Sequence, residues 1–352
     1  MRIGISANAL KFSGGLERYA MDLVRGFAHA GFDGRQKPAF FARKIDRALP
    51  ESRLVEAHRI KVSFLPGKLR DAYFSWMLKR ARKKAKVDVL IGCNRVEGSE
   101  IAICGGTHIG FLRATGRCKK RSDTRQIALE RRQYAQAEVI VAHSDMMRDE
   151  LRALYGIDEG KICVLYPPVG ATRFLPVDDA QRVRLREQFG FGLDETVLLF
   201  PSSSHERKGL PLIEKALAGM DVVIAVVGRA PERRAPNVRY IGYAKNIEDA
   251  YRAADFTILA SSYEPFGLVG IESVMCGTPV IFPASIGCGD AIADDAKHIF
   301  RSGDAADLHR VVEAAMRAPR DRVSGDAVRY DARIDAHAGA LIELAREIVG
   351  KR

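Results

Sequence analysis

Short runs of apolar, β-branched and aromatic residues alternate with helix-period segments along this chain; the series stops once and then starts again. RIGISAN at 2–8 reads as a buried first strand. In SGGLERYAMDLVRGFAHAG, Leu16, Tyr19, Ala20, Leu23, Val24 and Phe27 fall on one helical face. PAFFA, IKVSFL, VDVLIGC, EIAICGG and AEVIVAHS continue the strands, and residues 71–86 and 146–155 read as helices. YPPVGATRFLP, with Pro167 and Pro168, breaks the pattern. VLLFPS, DVVIAVVG, VRYIG, FTILA and PVIFP then form a second series, and residues 327–349 predict a long last helix. Alternation of this kind favours parallel, doubly wound sheets, and its interruption favours two of them. The expected organisation is α/β, with domains at 1–168 and 169–326 and a C-terminal helical segment at 327–352.

The chain has 352 residues, enough for two cores of ordinary size. No run of about 18 apolar residues occurs, so no membrane span is expected. The N-terminus reads directly as a strand rather than as a signal peptide. Cys93, Cys104, Cys118, Cys163, Cys276 and Cys288 show no metal-ligand spacing, which predicts reduced, structural thiols. Net charge is +12, unevenly spread. Residues 1–170 carry 32 Lys+Arg against 18 Asp+Glu, and the rest carry 24 against 26. The excess gathers in LKRARKKAK at 78–86 and in RATGRCKKRSDTRQIALERR at 113–132. Such runs suit an anionic surface or ligand. They lack the interleaved aromatics and reader motifs of a nucleic-acid-binding protein. The expectation is a cytoplasmic protein able to lie on the inner face of the cytoplasmic membrane, without nucleic acid as a partner.

The chemistry concentrates in EPFGLVGIES, between FTILA and CGTPVI. Glu264 and Glu272 stand around Gly267 and Leu268, where a strand gives way through a Gly turn to a helix. First-turn N–H groups lack intrahelical partners and suit a phosphate. One carboxylate can then face a sugar while the other reaches a ribose. HERKG places Arg207 and Lys208 after the first strand of the second series. Gly14 and Gly15 follow the first strand of the chain in a turn that is neither GxGxxG nor a Walker loop. His108 follows a strand in CGGTHIGF, Asn94 and Arg95 lie in GCNRVEG, and Tyr243 lies in IGYAKNIEDAYRAAD. No Asp-x-Asp triplet occurs.

These segments together resemble the retaining glycosyltransferases of family 4, which have the GT-B fold; the lipopolysaccharide core glucosyltransferases are the most similar group within it. The resemblance implies two Rossmann-like domains with the active site in the cleft between them, and a C-terminal helix crossing back to the first. It implies that Glu264 contacts the donor sugar, that the backbone at Gly267 and Leu268 binds the distal phosphate, and that Glu272 binds the ribose. Lys208 is the family's cation for the leaving diphosphate. The family's second cation, an Arg about six residues upstream, is Ser202 here, and Arg207 is the candidate replacement. Gly14 and Gly15 face the diphosphate, and His108 stands near the anomeric carbon. IGYAKNIEDAYRAAD resembles the family segment whose backbone faces the nucleobase, and Tyr243 there is either a stacking partner for the base or simply a strand-end aromatic. No cofactor and no metal are implied. The partners implied are a nucleotide-sugar, UDP-glucose first, and a lipid-linked saccharide acceptor such as lipopolysaccharide core. A sugar-nucleotide epimerase or hydrolase of the same fold, and a non-enzymatic basic protein binding nucleic acid or membrane, remain open as alternatives.

Overall fold

In the computed structural model, residues 1–11, 15–31, 37–170, 172–233, 235–317 and 322–352 are described. The first sheet contains β1 (Ile3–Ser6), β2 (Ala39–Ala42), β3 (Glu56–Arg59), β4 (Val89–Gly92), β5 (Ile101–Cys104), β6 (Val139–Ala142) and β7 (Ile162–Val164). Their spatial order is β3-β2-β1-β4-β5-β6-β7 and every pairing is parallel. The order reverses between β1 and β4, and at such a switch point ligands meet the carboxyl ends of the strands. The connecting helices are α1 (Gly15–His29), α2 (Gly67–Lys84), α3 (His108–Thr115), α4 (Arg121–Gln136) and α5 (Asp145–Tyr155). Ile3, Ile5, Val89 and Ile91 face Tyr19, Leu23, Val24 and Phe27 of α1 in one core. A second core joins Phe41 and Leu90 to Phe74 and Leu78 of α2.

The second sheet repeats the scheme. It contains β8 (Val197–Ser202), β9 (Val223–Gly228), β10 (Val238–Tyr240), β11 (Phe256–Ile258), β12 (Val280–Pro283) and β13 (Lys297–Phe300), in the parallel order β10-β9-β8-β11-β12-β13. Its helices are α6 (Asp179–Phe189), α7 (His205–Lys208), α8 (Leu210–Ala216), α9 (Ile247–Ala253), α10 (Leu268–Met275) and α11 (Ala305–Arg317). A fully buried Arg186 fastens α6 to this sheet. Its Nη1 lies 3.2 Å from Asp255 Oδ2, and its guanidinium also donates to the carbonyls of Gly192, Glu195 and Ala253. A charge out of water persists only when paired and hydrogen-bonded in this way.

The chain divides into one unit of Met1–Pro168 with Asp331–Arg352 and another of Val169–Tyr330. The last helix, α12 (Ile334–Gly350), buries Ala338, Leu341, Ile342, Ala345 and Ile348 in the core that holds α1. The crossing starts later than residue 327. Val328 still bridges Ile292, and Arg329 N–H donates to Ala291 C=O, so both belong to the second unit.

Other expectations are corrected. IKVSFL is not a strand: the ladder with β2 runs through the polar EAHR before it and ends where Ile60 N–H meets Ala42 C=O at 2.9 Å. Ile60 and Val62 are buried, but as loop residues packed on α2. The basic stretch at 113–132 is shared between two helices, because Gly116 at φ +61° caps α3 before α4 begins. Leu16 lies in the first turn of α1 and is exposed. Two edge strands are short, β7 as the half-buried three-residue ICV and β13 as the half-polar KHIF, and period-2 patterning did not reveal them. The six cysteines are free thiols.

Candidate functional site

β8 ends at Ser202, and the chain then turns through α7 to Gly209. Ser204 N–H donates to Ser202 Oγ at 3.2 Å. His205 Nδ1 lies 3.1 Å from the same oxygen, and its Nε2 lies 3.0 Å from the carbonyl oxygen of Arg229, just after β9. A carbonyl only accepts, so this contact assigns the proton to Nε2, and Nδ1 accepts from the serine hydroxyl. One imidazole thus ties together the loops after two strands. Ser202 thus serves to hold this turn.

Gly209 closes the turn at φ +83°, and a Cβ there would stand 2.1 Å from Ala260 O. Ala260 N–H donates to Lys208 C=O at 3.0 Å, which holds Lys208 against the chain leaving β11. Its Nζ lies 2.7 Å from Glu264 Oε2, with both side chains largely buried. Arg207 Nη1 approaches the same oxygen at 3.4 Å from a more exposed position. Two cations therefore share one carboxylate and leave a net positive charge.

Glu264 is fixed through its backbone. It bridges Ile286, and its carbonyl accepts the Gly287 N–H at 3.0 Å. Gly267, at φ +93°, is the N-cap of α10; a Cβ there would press on Ile286 and on Glu264 Cγ. No side chain caps this helix start. The N–H groups opening at Leu268 therefore lie beside the Lys208–Glu264–Arg207 cluster and carry the positive end of the helix dipole. One turn further on, Glu272 is 4% exposed and its Oε2 accepts the Tyr251 hydroxyl at 3.0 Å. Tyr251 on α9 was missed in the sequence. Its signal was a lone phenol among the alanines of DAYRAAD, since a buried Tyr hydroxyl requires a partner.

Tyr243 follows β10 and is 76% exposed. The backbone just before it is anchored: Gly228 N–H donates to Gly242 C=O, and the Tyr240 hydroxyl donates to Gly228 C=O, both at 2.9 Å. A cavity of about 620 Å³ opens beside His205 and is lined by Glu206, Leu210, Arg229 and Arg233. Another, of about 660 Å³, lies at the amino ends of the strands near Glu195, Asp221 and Asn237, away from Glu264. The first is the one at the carboxyl ends, where this architecture binds ligands.

The remaining candidates belong to the first unit. Gly14 lies outside the described residues, and Gly15 opens α1 with open space around it. His108 is the first residue of α3. Its Nε2 lies 2.9 Å from Asp123 Oδ1, and its backbone N–H donates to the buried Glu130 at 3.1 Å. Arg117, the Lys120 N–H and His108 together hold the Asp123 carboxyl well below the usual range. Glu130 also accepts from Arg95 Nε at 2.6 Å and from the Tyr155 hydroxyl. Asn94 Oδ1 accepts from Ser6 Oγ at 2.8 Å at the end of β1. The ring of His108 and the side chains of Asn94 and Arg95 are thus all engaged within the first unit.

The sequence matches the family model described as Glycosyltransferase Family 4 over residues 13–173, and that described as Glycosyl transferases group 1 over residues 181–327. A probable transglycosylase of Burkholderia thailandensis is 60% identical over 362 residues, covering 100% of this chain and 99% of that protein. The solved structure of WaaG, a glycosyltransferase involved in lipopolysaccharide biosynthesis, matches with a TM-score of 0.76 at 18% identity, over 98% of this chain and 95% of that one. HepE of Anabaena, solved with UDP and glucose, matches with a TM-score of 0.70 at 16% identity, over 100% and 99% of the two chains. The two structural likenesses establish the fold, and the family models and the Burkholderia relative establish the family. The chain belongs to the GT-B glycosyltransferases, with a Glycosyltransferase Family 4 first half and a group 1 second half.

Proposed function

We propose that this glycosyltransferase moves a hexose from a nucleotide-sugar to a lipid-linked saccharide, with retention of configuration and without a metal. The observation that carries the reading is the Lys208–Glu264–Arg207 cluster beside the uncapped start of α10. On donor binding the two sides of the Lys208–Glu264 pair take different partners. Lys208 and Arg207, with the N–H groups at Leu268, neutralise the diphosphate, and Glu264 accepts from the sugar hydroxyls. Preorganised charge of this kind acts where charge develops as the leaving group departs. Glu272 takes the ribose, and the exposed Tyr243 takes the base.

The acceptor oxygen bonds to the anomeric carbon on the face from which the diphosphate leaves. The anomeric C–O bond breaks with its electron pair on the phosphate oxygen, which takes the acceptor's proton. No enzyme nucleophile is assigned. HepE was solved with UDP and glucose, which supports a uridine diphosphate donor and glucose as the first sugar to test. The part WaaG plays in lipopolysaccharide biosynthesis supports a lipid-borne core saccharide as acceptor.

Turnover of UDP-glucose with a core saccharide, followed by proton NMR with EDTA present, tests the proposal. The α-linked product, formed at an undiminished rate, is the expected result. A β-linked product, loss of turnover in EDTA, or donor consumption equally fast without acceptor would contradict it.

A further inference from the structure

α2 already buries one apolar face: Phe74 and Leu78 are fully buried, with Met77 and Ala81 packed around them. It also carries a second stripe turned outward. Leu69 and Trp76 are 48% and 50% exposed on that stripe, and Phe64, in the loop before the helix, is 65% exposed. The patch is continuous, because the Tyr73 ring lies 5.4 Å from Phe64 and 5.8 Å from Trp76. One turn on, the stripe changes character. The Arg80 guanidinium lies over the Trp76 ring at 3.4 Å, and exposed Lys79, Lys83, Lys84 and Lys86 follow. Lys79 pairs with Glu97, whereas Arg80, Lys83, Lys84 and Lys86 have no carboxylate partner among the described residues. The other basic helix, α4, differs. Arg121, Arg125, Arg131 and Arg132 are exposed there, but no large apolar side chain is exposed beside them.

We infer that the outer stripe of α2 docks on an anionic lipid bilayer, with Phe64, Leu69 and Trp76 entering the headgroup boundary and the unpaired cations lying against the lipid phosphates. Aromatic and aliphatic tips flanked by Lys and Arg suit that boundary, and charge alone, as on α4, does not. The surface stands on its own geometry. Its use in bringing the enzyme to a lipid-borne acceptor rests on the function proposed above.

The chain has one tryptophan, so intrinsic fluorescence reports Trp76 directly. Full-length protein is titrated with vesicles of phosphatidylcholine, with and without phosphatidylglycerol. A blue shift and loss of acrylamide quenching with anionic vesicles only is expected. Each cation near such a surface weighs roughly fivefold. The double variant Lys83→Glu with Lys84→Glu should therefore raise the vesicle concentration at half-binding at least tenfold, and Arg121→Glu with Arg125→Glu should change it little. No vesicle binding, binding without a change in Trp76 emission, or loss of binding through the α4 variant instead would overturn the inference. So would a blue shift on concentrating the protein alone, which would mark a second copy as the occupant. UDP binding, measured on the same samples, reports on the donor site separately.

Discussion

Lys208 and Glu264 hold one another at 2.7 Å in the second unit, and that contact makes the sharpest claims at the scale of single residues. Lys208→Ala should lower kcat by roughly 10²–10³-fold, the usual weight of one preorganised charge contact, with a smaller change in KM. A change confined to KM would show that Lys208 only binds the donor. Gly209→Ala makes a purely steric test. With φ at +83° and Ala260 O at 2.1 Å from the new Cβ, the turn must open. A loss of about 3 kcal/mol is expected, or roughly 6–12 °C in melting temperature; calorimetry showing no shift would mean that the loop adapts freely. Much of this was legible beforehand, since Arg207, Lys208 and Glu264 sit beside strand ends in a readable pattern. The Ser202–His205–Arg229 chain and Tyr251 were not, because each depends on a partner 21 or more residues away in sequence or on a carbonyl that any residue offers.

Elements were legible where burial on both faces forces an apolar run, as in β1, β4 and β8. Edge strands escape that constraint, which is why the polar EAHR of β3 gave no strand signal and the apolar IKVSFL read as strand. The last helix shows the same principle in its polar residues. His337 Nδ1 donates to Tyr166 C=O at 2.9 Å, so its Nε2 accepts the Tyr19 hydroxyl at 2.8 Å. The His143 ring stacks edge-on to Tyr19. Burial pushes His143 down to about 3, helped by His337, and pushes His337 down to about 4. Both rings stay neutral in the folded state at pH values where the unfolded chain binds protons. Stability should therefore be full above the ordinary histidine pKa of about 6.5 and fall with pH from there toward 4, by up to roughly 1.4 kcal/mol per unit for each ring. Thermal melts between pH 7.5 and pH 5 measure this directly. His337→Gln should flatten the dependence, and an unchanged slope would place the effect elsewhere.

At the scale of the whole molecule, two sheets with the same doubly wound order, neither needing a disulfide, follow from one repeated βα grammar. The charge asymmetry was visible in composition, but its form was not. Only the structure separates α2, with its aromatic patch, from α4, with charge alone. Among the described residues no helix is long and apolar enough to cross a membrane. The central claim is that the second unit holds a nucleotide-sugar through Glu264, Lys208, the start of α10 and Glu272. Calorimetric titration of UDP, ADP and GDP, then of UDP-glucose, into wild-type protein and Glu272→Ala tests it most directly. One-site binding of a single nucleotide, UDP, weakened at least tenfold by the substitution, is the expected result, with UDP-glucose occupying the same site. Folded protein that binds none of them, or binds them equally well without Glu272, would contradict it.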